Sequence, residues 1–262
     1  MILYRHEMRM NLKSFLIWTL CVGAMCFGCI LLYTSLEDSI QGMADMYSNM
    51  GAMSVALGMD KMSLATLRGF YGTEIAMMHG LGGAMFAAIS GISLLSKEES
   101  GHTSEFLNVL PVGRTNILFQ KYLALFSNII LFNLVCAAIY LLGFCFMGEQ
   151  ISPQEFWLYH LAATLMHLEI ATICFMISAF TRKPLPGAAL GLTIFLFAAD
   201  MMCRIIPAIK NLKYLTPFYY ANAADIFTTT KVNLPCCMTA IAVTSITLFI
   251  ALIRYKTKDL TP

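Results

Sequence analysis

The sequence predicts an all-α, polytopic integral membrane protein with six transmembrane helices, and two observations support this fold class. First, 58% of the 262 residues are hydrophobic and only 12% are charged, whereas soluble domains carry about 25% charged residues. Second, six apolar stretches are long enough to cross a bilayer core, which requires about 20 residues of helix. Backbone groups in lipid must be satisfied within the segment, so helices are expected. The spans cover residues 15–36, 75–95, 117–147, 156–180, 187–206 and 234–253, within a single transmembrane domain of residues 1–262.

The first span follows three basic residues, Arg5, Arg9 and Lys13, and so has the start of a secretion signal. Its apolar core is longer than that of a signal, and no small-x-small cleavage site ends it. We therefore expect an uncleaved anchor. The third span is longer than the membrane is thick, so it is expected to extend beyond the bilayer at its Lys121 end or to tilt.

The distribution of Lys and Arg predicts that both termini face the cytoplasm. With that orientation, the inner segments hold eleven of the seventeen Lys and Arg residues and the outer segments hold the other six. We expect a multi-pass protein of the cell (plasma) membrane, which in a bacterium is the inner membrane. The formal charge of +2 and the lack of basic runs with interleaved aromatics argue against a nucleic-acid partner.

Two segments on the outer side carry patterns of their own. Apolar residues at helical spacing follow the first span and indicate a helix that lies on the membrane surface or packs on the bundle as a lid. These residues are Met43, Met46, Tyr47, Met50, Met53 and Leu57. Between the fifth and sixth spans, Pro207, Pro217 and the aromatic residues 218–220 indicate a re-entrant or surface segment at the membrane interface.

A polar stretch between the second and third spans carries the strongest functional signal. Glu98 and Glu99 end the second span, and Gly101 then permits a turn. Thr103, or the histidine before it, can cap a short helix with Glu105 in its first turn, where the helix dipole favours an anion. The apolar face of this helix is formed by Phe106, Leu107, Val109 and Leu110.

Pro111 ends this short helix because it lacks an amide donor and disfavours helical geometry in the residue before it. Arg114 and Lys121 then open the third span at the level of the inner lipid headgroups. The expected product is a two-turn amphipathic helix across the cytoplasmic mouth of the bundle. An ordinary polar loop is the alternative, although a loop requires neither an apolar face nor three carboxylates close together.

The motif in this stretch resembles the signature of the second class of ATP-binding-cassette (ABC) exporter permeases. The matching residues are Glu98, Glu99, Gly101, Thr103, Glu105, Phe106, Leu107, Leu110, Pro111, Arg114 and Lys121. Many relatives have Ser before the Arg, where this chain has Gly113. The six-span layout with both ends inside also matches, so the resemblance extends over nearly the whole chain.

The resemblance implies a short cytoplasmic coupling helix that docks into a cleft on an ABC ATPase subunit. It also implies a homodimer or heterodimer of permeases with two ATPase subunits, which exports an amphiphilic cargo. The chain has no GxxxxGK[ST] phosphate loop, so ATP and Mg would be bound by the partner. We therefore expect no catalytic residue, cofactor site or metal site in this chain, and peptide, drug, lipid and ion all remain open as cargo.

Ionisable residues inside the spans are costly and default to functional hypotheses. They are His79, His160, His167, Glu169 and Asp200. Asp200 is four residues from Arg204, which favours a helical ion pair. Glu169 either lines a cargo path or forms a packing hydrogen bond, with His167 or His79 as possible partners. His160 and His167 share a helical face, but no third metal ligand is evident in the sequence.

Two rows of small residues in the second span let another helix approach closely, either within the subunit or at a permease–permease contact. They are Gly80, Ala84 and Ala88, and Gly83, Ala87 and Gly91. Two other functions remain as alternatives. One is a proton-coupled secondary transporter that uses Glu169, His167 and Asp200, although the inverted repeats typical of such carriers are not evident. The other is a non-transporting membrane scaffold or immunity protein.

Overall fold

The computed structural model describes residues 2–101 and 112–258, and for residues 34, 37, 38, 41, 43–45, 47 and 48 it describes the backbone alone. The α-helices are α1 (Ile2–Ser48), α2 (Ala52–Leu57), α3 (Leu67–Ser93), α4 (Lys97–Ser100), α5 (Arg114–Met147), α6 (Pro153–Phe180), α7 (Pro186–Ile205), α8 (Pro217–Tyr220), α9 (Ala223–Thr229) and α10 (Leu234–Thr257). A π-helical turn over Tyr71–Ile75 lies within α3, and a 3-10 helix spans Pro207–Tyr214.

Six of these helices, α1, α3, α5, α6, α7 and α10, are long and apolar enough to cross a membrane, which confirms the predicted fold class. The 34 residues of α5 extend over about 50 Å, against a hydrocarbon core of about 30 Å. Since the helix is unbroken, the predicted excess length of the third span is present.

The centre of the bundle is the contact between α3 and α6. In each of them 61% of the apolar window is buried inside the protein, compared with 22% in α7 and α10. A Cβ atom built on Gly91 would lie 2.3 Å from the carbonyl oxygen of Ala171, and one on Gly83 would lie 2.3 Å from Cε1 of His167. Only glycine allows so close an approach, so the small-residue rows of α3 serve packing within the subunit.

The first helix is longer than predicted. It has 47 residues and runs to Ser48, so it contains the first half of the methionine-rich stripe. Gly51, with φ of +60°, stands between it and the short helix α2. The expectation of one separate surface helix is therefore wrong, because a left-handed glycine divides the stripe into two helices.

The contacts of α2 also differ from those expected for a lid that packs on the bundle through its methionine side chains. Its buried residues are the small ones, Ser54 and Ala56, and it packs on α7. Met46, Met50 and Met53 are 61%, 45% and 48% exposed.

The segment between α7 and α10 enters the bundle. Phe218 and Tyr220 of α8 and Ile226 and Phe227 of α9 are buried, and both helices pack on α6. Two of the three aromatic residues that the sequence placed at the interface, Phe218 and Tyr220, thus reach the core. The predicted re-entrant or surface segment at the membrane interface stays a prediction.

Candidate functional site: the terminal cluster

The ends of four spans meet at one end of the bundle. Lys121, near the start of α5, donates to the backbone oxygen of Leu94 after α3, at 2.9 Å. Lys258, after α10, donates to the backbone oxygen of Thr181 after α6, at 2.7 Å. Glu7, in the first turns of α1, contacts Lys121. Both ends of the described chain therefore lie on the side that carries Lys97–Ser100 and Arg114.

Six charged residues form ion pairs at this end, and we call them the terminal cluster. They are Glu7, Lys97, Glu98, Glu99, Lys121 and Lys258. Three carboxylates face three ammonium groups, so the cluster has no net charge. Its members come from α1, from α4, from the start of α5 and from the residue after α10, so it joins elements that are far apart in the sequence.

Lys121 is the centre of the cluster. Its side chain is fully buried, and its Nζ donates to Glu7 Oε1 at 3.0 Å, to the backbone oxygen of Leu94 and to the carboxylate of Glu98. Lysine is almost never fully buried unless it is paired. Acceptors from three elements replace water around its ammonium group, and the predicted position of Lys121 at the lipid headgroup level stays a prediction.

Glu7 was missed by the sequence analysis. It lies on α1, is fully buried, and pairs with both Lys97 and Lys121. Its sequence neighbours are the basic residues Arg5 and Arg9, which suggested only a positively charged flank. An isolated acid within such a flank was the one available signal.

The segment of residues 97–114 is held at both of its ends by the end of α10. Glu99 forms a buried ion pair with Lys258. Arg114 donates from Nη1 to the backbone oxygens of Lys256, at 3.1 Å, and Lys258, at 2.7 Å. A displacement of the segment would therefore also act on α10.

A third tether joins the segment to α6. The hydroxyl oxygen of Ser178 accepts hydrogen bonds from the backbone nitrogens of Leu95 and Ser96, both at 3.0 Å. These two amides lie just beyond the end of α3, and the hydroxyl is buried. The chain between α3 and α4 is thus fixed to the facing helix.

The structure brings together four of the predicted coupling residues, namely Glu98, Glu99, Arg114 and Lys121. Gly101 lies in the turn that follows α4, as expected, with φ of −93°, a conformation that other residues also adopt. The remaining predicted coupling residues, Thr103, Glu105, Phe106, Leu107, Leu110 and Pro111, lie outside the described residues.

A comparison with known protein families identifies the family of this chain. The family model described as ABC-2 family transporter protein matches residues 1–260. The chain belongs to the ABC-2 transporter family. No curated protein matches it. The protein is therefore a multi-pass membrane permease subunit of an ABC transporter, as the motif around Glu98–Arg114 had indicated.

The buried histidines of this ABC-2 permease form hydrogen bonds between α3, α5 and α6. Asn133 Oδ1 lies 3.1 Å from His79 Nε2 and 3.1 Å from His167 Nδ1. His79 Nδ1 lies 3.1 Å from the hydroxyl of Tyr140, and His160 Nε2 lies 2.9 Å from that of Tyr71. Asn133 joins His79 to His167, whereas His160 forms a separate pair with Tyr71, and these contacts favour packing roles for His79 and His167. The sequence analysis missed both Asn133 and Tyr140.

Glu169 pairs with neither histidine. The hydroxyl of Tyr220 donates to Glu169 Oε2 at 2.9 Å, and both side chains are buried. This contact fixes α8 to α6, which favours the packing interpretation of Glu169. Within residues 2–101 and 112–258, no group of three or more His, Cys, Asp or Glu side chains is arranged to hold a metal ion.

A second set of charges lies at the opposite end of the permease, and we call it the distal cluster. Its members are Lys61, Asp200, Arg204 and Asp225. Arg204 Nε lies 3.0 Å from Asp200 Oδ2, which confirms the predicted helical ion pair, and its Nη1 lies 2.8 Å from Asp225 Oδ2. Burial alone would raise the pKa of Asp225, but Arg204 and Lys61 outweigh burial and hold this pKa below its ordinary value.

Proposed function

We propose that this permease is moved by a separate ABC ATPase subunit, which docks on the segment of residues 97–114 and drives export of an amphiphilic cargo such as a peptide, drug or lipid. The observation that supports the proposal is the terminal cluster. It connects the two ends of the proposed docking segment to α1, α5 and α10, while Ser178 connects it to α6.

The cluster suits a mechanical role because most of its charges are buried. Buried ion pairs are screened by salt much less than exposed ones. Breaking such a pair leaves an uncompensated charge in the protein, which is strongly unfavourable. A force on the segment would therefore displace the attached helices before it separated the ion pairs, and the helix bundle could change between two access states.

The structure changes the roles that we assign to the three carboxylates of the motif. Glu98 and Glu99 pair with Lys121 and Lys258 of the same chain. We assign to them the anchoring of the segment, and we assign to Glu105 and the apolar residues that follow it the contact with the ATPase. ATP and Mg would be bound by that partner, and hydrolysis would take place there.

The proposal includes three further points. The terminal cluster faces the cytoplasm, where ATP is available, so both chain ends lie inside. The membrane is the plasma membrane, or the inner membrane in a bacterium. The permease acts with a second permease subunit, identical or different, and two ATPase subunits. The weakly buried helices α7 and α10 offer surfaces for lipid and for the second subunit.

The proton-coupled alternative has less support. Its three residues are held by separate partners: Glu169 by Tyr220, His167 by Asn133, and Asp200 by Arg204. A proton path requires groups that exchange protons with one another, and these three do not contact one another directly. Membership of the ABC-2 family also favours an ATP-driven subunit over a carrier or a scaffold.

The proposal is tested by purifying the tagged permease from native membranes and quantifying any co-purified ATPase. We expect an ATPase with a Walker motif in equal amount to the permease, and Glu105→Lys should reduce its recovery at least about tenfold, equal to about 1.4 kcal/mol. Glu149→Lys is the matched control, since Glu149 is an exposed acid of the α5–α6 loop at the distal end. Uphill transport by the permease alone in vesicles would refute the proposal.

A further inference from the structure

A cavity of about 60 Å3 lies at the distal end of the bundle, between α3, α6, α7 and α8. Its wall is mostly apolar and includes three methionines and two phenylalanines. They are Met77, Met166, Met201, Phe197 and Phe218. Methionine side chains are flexible and adapt to irregular apolar groups. Met77, Phe197 and Met201 are half-buried, and Ala56 and Leu57 of α2 complete the wall.

One oxygen of Asp200 is the unusual feature of this wall. Asp200 lines the cavity and is only 4% exposed. Its Oδ2 accepts from Arg204, but its Oδ1 is buried and has no hydrogen-bond partner in the part of the chain that the structure describes. Buried polar atoms almost always have a partner. The wall of the cavity therefore includes a residue with one carboxylate oxygen that no donor of the described residues satisfies.

The charges around Asp200 indicate the kind of donor. The distal cluster contains two carboxylates and two cations, so its formal charge is zero. A cation placed in the apolar cavity would not be neutralised by any net negative charge, and burial of an uncompensated charge is unfavourable. A neutral amide N–H or hydroxyl satisfies Oδ1 without that cost.

The volume limits the size of the group that binds. A single water needs roughly 10–15 Å3 of such space, so the cavity holds about four groups of that size. This is enough for the end of a larger molecule, with the remainder extending past Met77 and Met201 toward the lipid.

We propose that the cavity binds the head of an amphiphile, in the form of a short neutral group whose amide N–H or hydroxyl donates to Asp200 Oδ1. The proposal rests on the proposed function, because it names the class of molecule that the permease handles at its distal side. Neutral amides and alcohols with an alkyl tail are this class.

The test uses photoaffinity labelling of the purified full-length permease in lipid nanodiscs without ATPase or nucleotide. The probes are an octyl-diazirine acetamide and the matching octyl-diazirine acetate, in which an ester oxygen replaces the N–H group. We expect labelling of peptides that contain Met77 or Met201 to be about tenfold greater with the amide. Equal labelling by the two probes would overturn the proposal and would show that water alone satisfies Asp200 Oδ1.

Two variants identify the acceptor. In Asp200→Asn, the amide oxygen remains the acceptor for Arg204 and the NH2 group faces the cavity, so the preference for the acetamide should fall below about twofold or reverse. Asp225→Asn removes the same charge from the same cluster, but Asp225 does not line the cavity, so the tenfold preference should remain. A preference that persists in Asp200→Asn would overturn the proposal.

Folding and coupling are separated from binding in this design. If Asp200→Asn does not purify as a monodisperse protein, the comparison of the two probes on the wild-type protein still decides the outcome. Because no ATPase is present, loss of probe selectivity would leave the proposed coupling intact. Conversely, failure to recover an ATPase with the permease would leave a selective probe site intact.

Discussion

The replacement Lys121→Met tests whether the terminal cluster holds the helices together. Methionine has a similar length and no charge, so the change removes the buried ammonium group without a large cavity. The two carboxylates that contact it, those of Glu7 and Glu98, then lose a cation within hydrogen-bonding distance. Since Glu7 retains Lys97, we expect the lower end of the range of about 3–5 kcal/mol that is measured when one partner of a buried pair is removed.

A loss of about 3 kcal/mol corresponds to a roughly 150-fold increase in the unfolded fraction. It can be measured by titration with sodium dodecyl sulfate in mixed micelles, followed by circular dichroism or tryptophan fluorescence. The loss of stability in the double variant Glu7→Gln/Lys121→Met should be smaller, by about 1–3 kcal/mol, than the sum of the losses in the two single variants. The reason is that directly paired residues are coupled.

Lys13→Met is the matched control. Lys13 is an exposed residue of α1, and such substitutions usually change stability by less than about 0.5 kcal/mol. If Lys121→Met were equally mild, and if its effect were additive with that of Glu7→Gln, the cluster would not hold the helices and the proposed route of force would be refuted.

Three further predictions concern packing and charge elsewhere in the bundle. Gly91→Ala should destabilise the permease by about 1–3 kcal/mol through overpacking. Gly28 has open space around it, so Gly28→Ala should not destabilise the protein. The same detergent titration compares the two variants. Tyr220→Phe should lower stability by about 1–3 kcal/mol because it leaves the buried Glu169 Oε2 without its donor. Tyr214 is exposed, so Tyr214→Phe should leave stability unchanged. Equal effects of the two changes would contradict the role of the Tyr220–Glu169 hydrogen bond. The folded-state pKa of Asp225 lies below its ordinary value of 3.8. The contribution of ionised Asp225 to folding stability is therefore fully present above pH 3.8 and is lost as the pH falls through the folded-state pKa. Acid titration of stability should therefore show a smaller loss in Asp225→Asn than in the wild-type protein, and identical profiles would contradict this.

Much of the fold could be predicted from the sequence because the hydropathy of a span is a local property. Each of the six spans is an apolar run of sufficient length, and lipid requires such a run to be helical. The Asp200–Arg204 pair could also be predicted, because residues four apart on a helix are neighbours whatever surrounds them. The motif that begins at Glu98 indicated the family, which the match over residues 1–260 then showed.

The partners of the buried polar groups could not be predicted in this way. Lys121 and Glu7 are 114 residues apart, and His79 and Asn133 are 54 residues apart. Which faces of α1, α3 and α5 meet depends on the rotation and register of whole helices. The sequence patterns of α5 and α6 are apolar nearly all round, so they indicate no single buried face.

Length, hydropathy and short-range spacing thus determined the class of this protein and its six helices that are long and apolar enough to cross a membrane. Tertiary structure alone decided that a lysine near the start of the third span is buried and that Glu7 and Glu98 pair with it. It also decided that Asp200 lies in a cavity wall with one oxygen that has no donor among the described residues. The physical reason is that a charge becomes stable inside a bundle only through partners brought from other helices, and packing determines which partners those are.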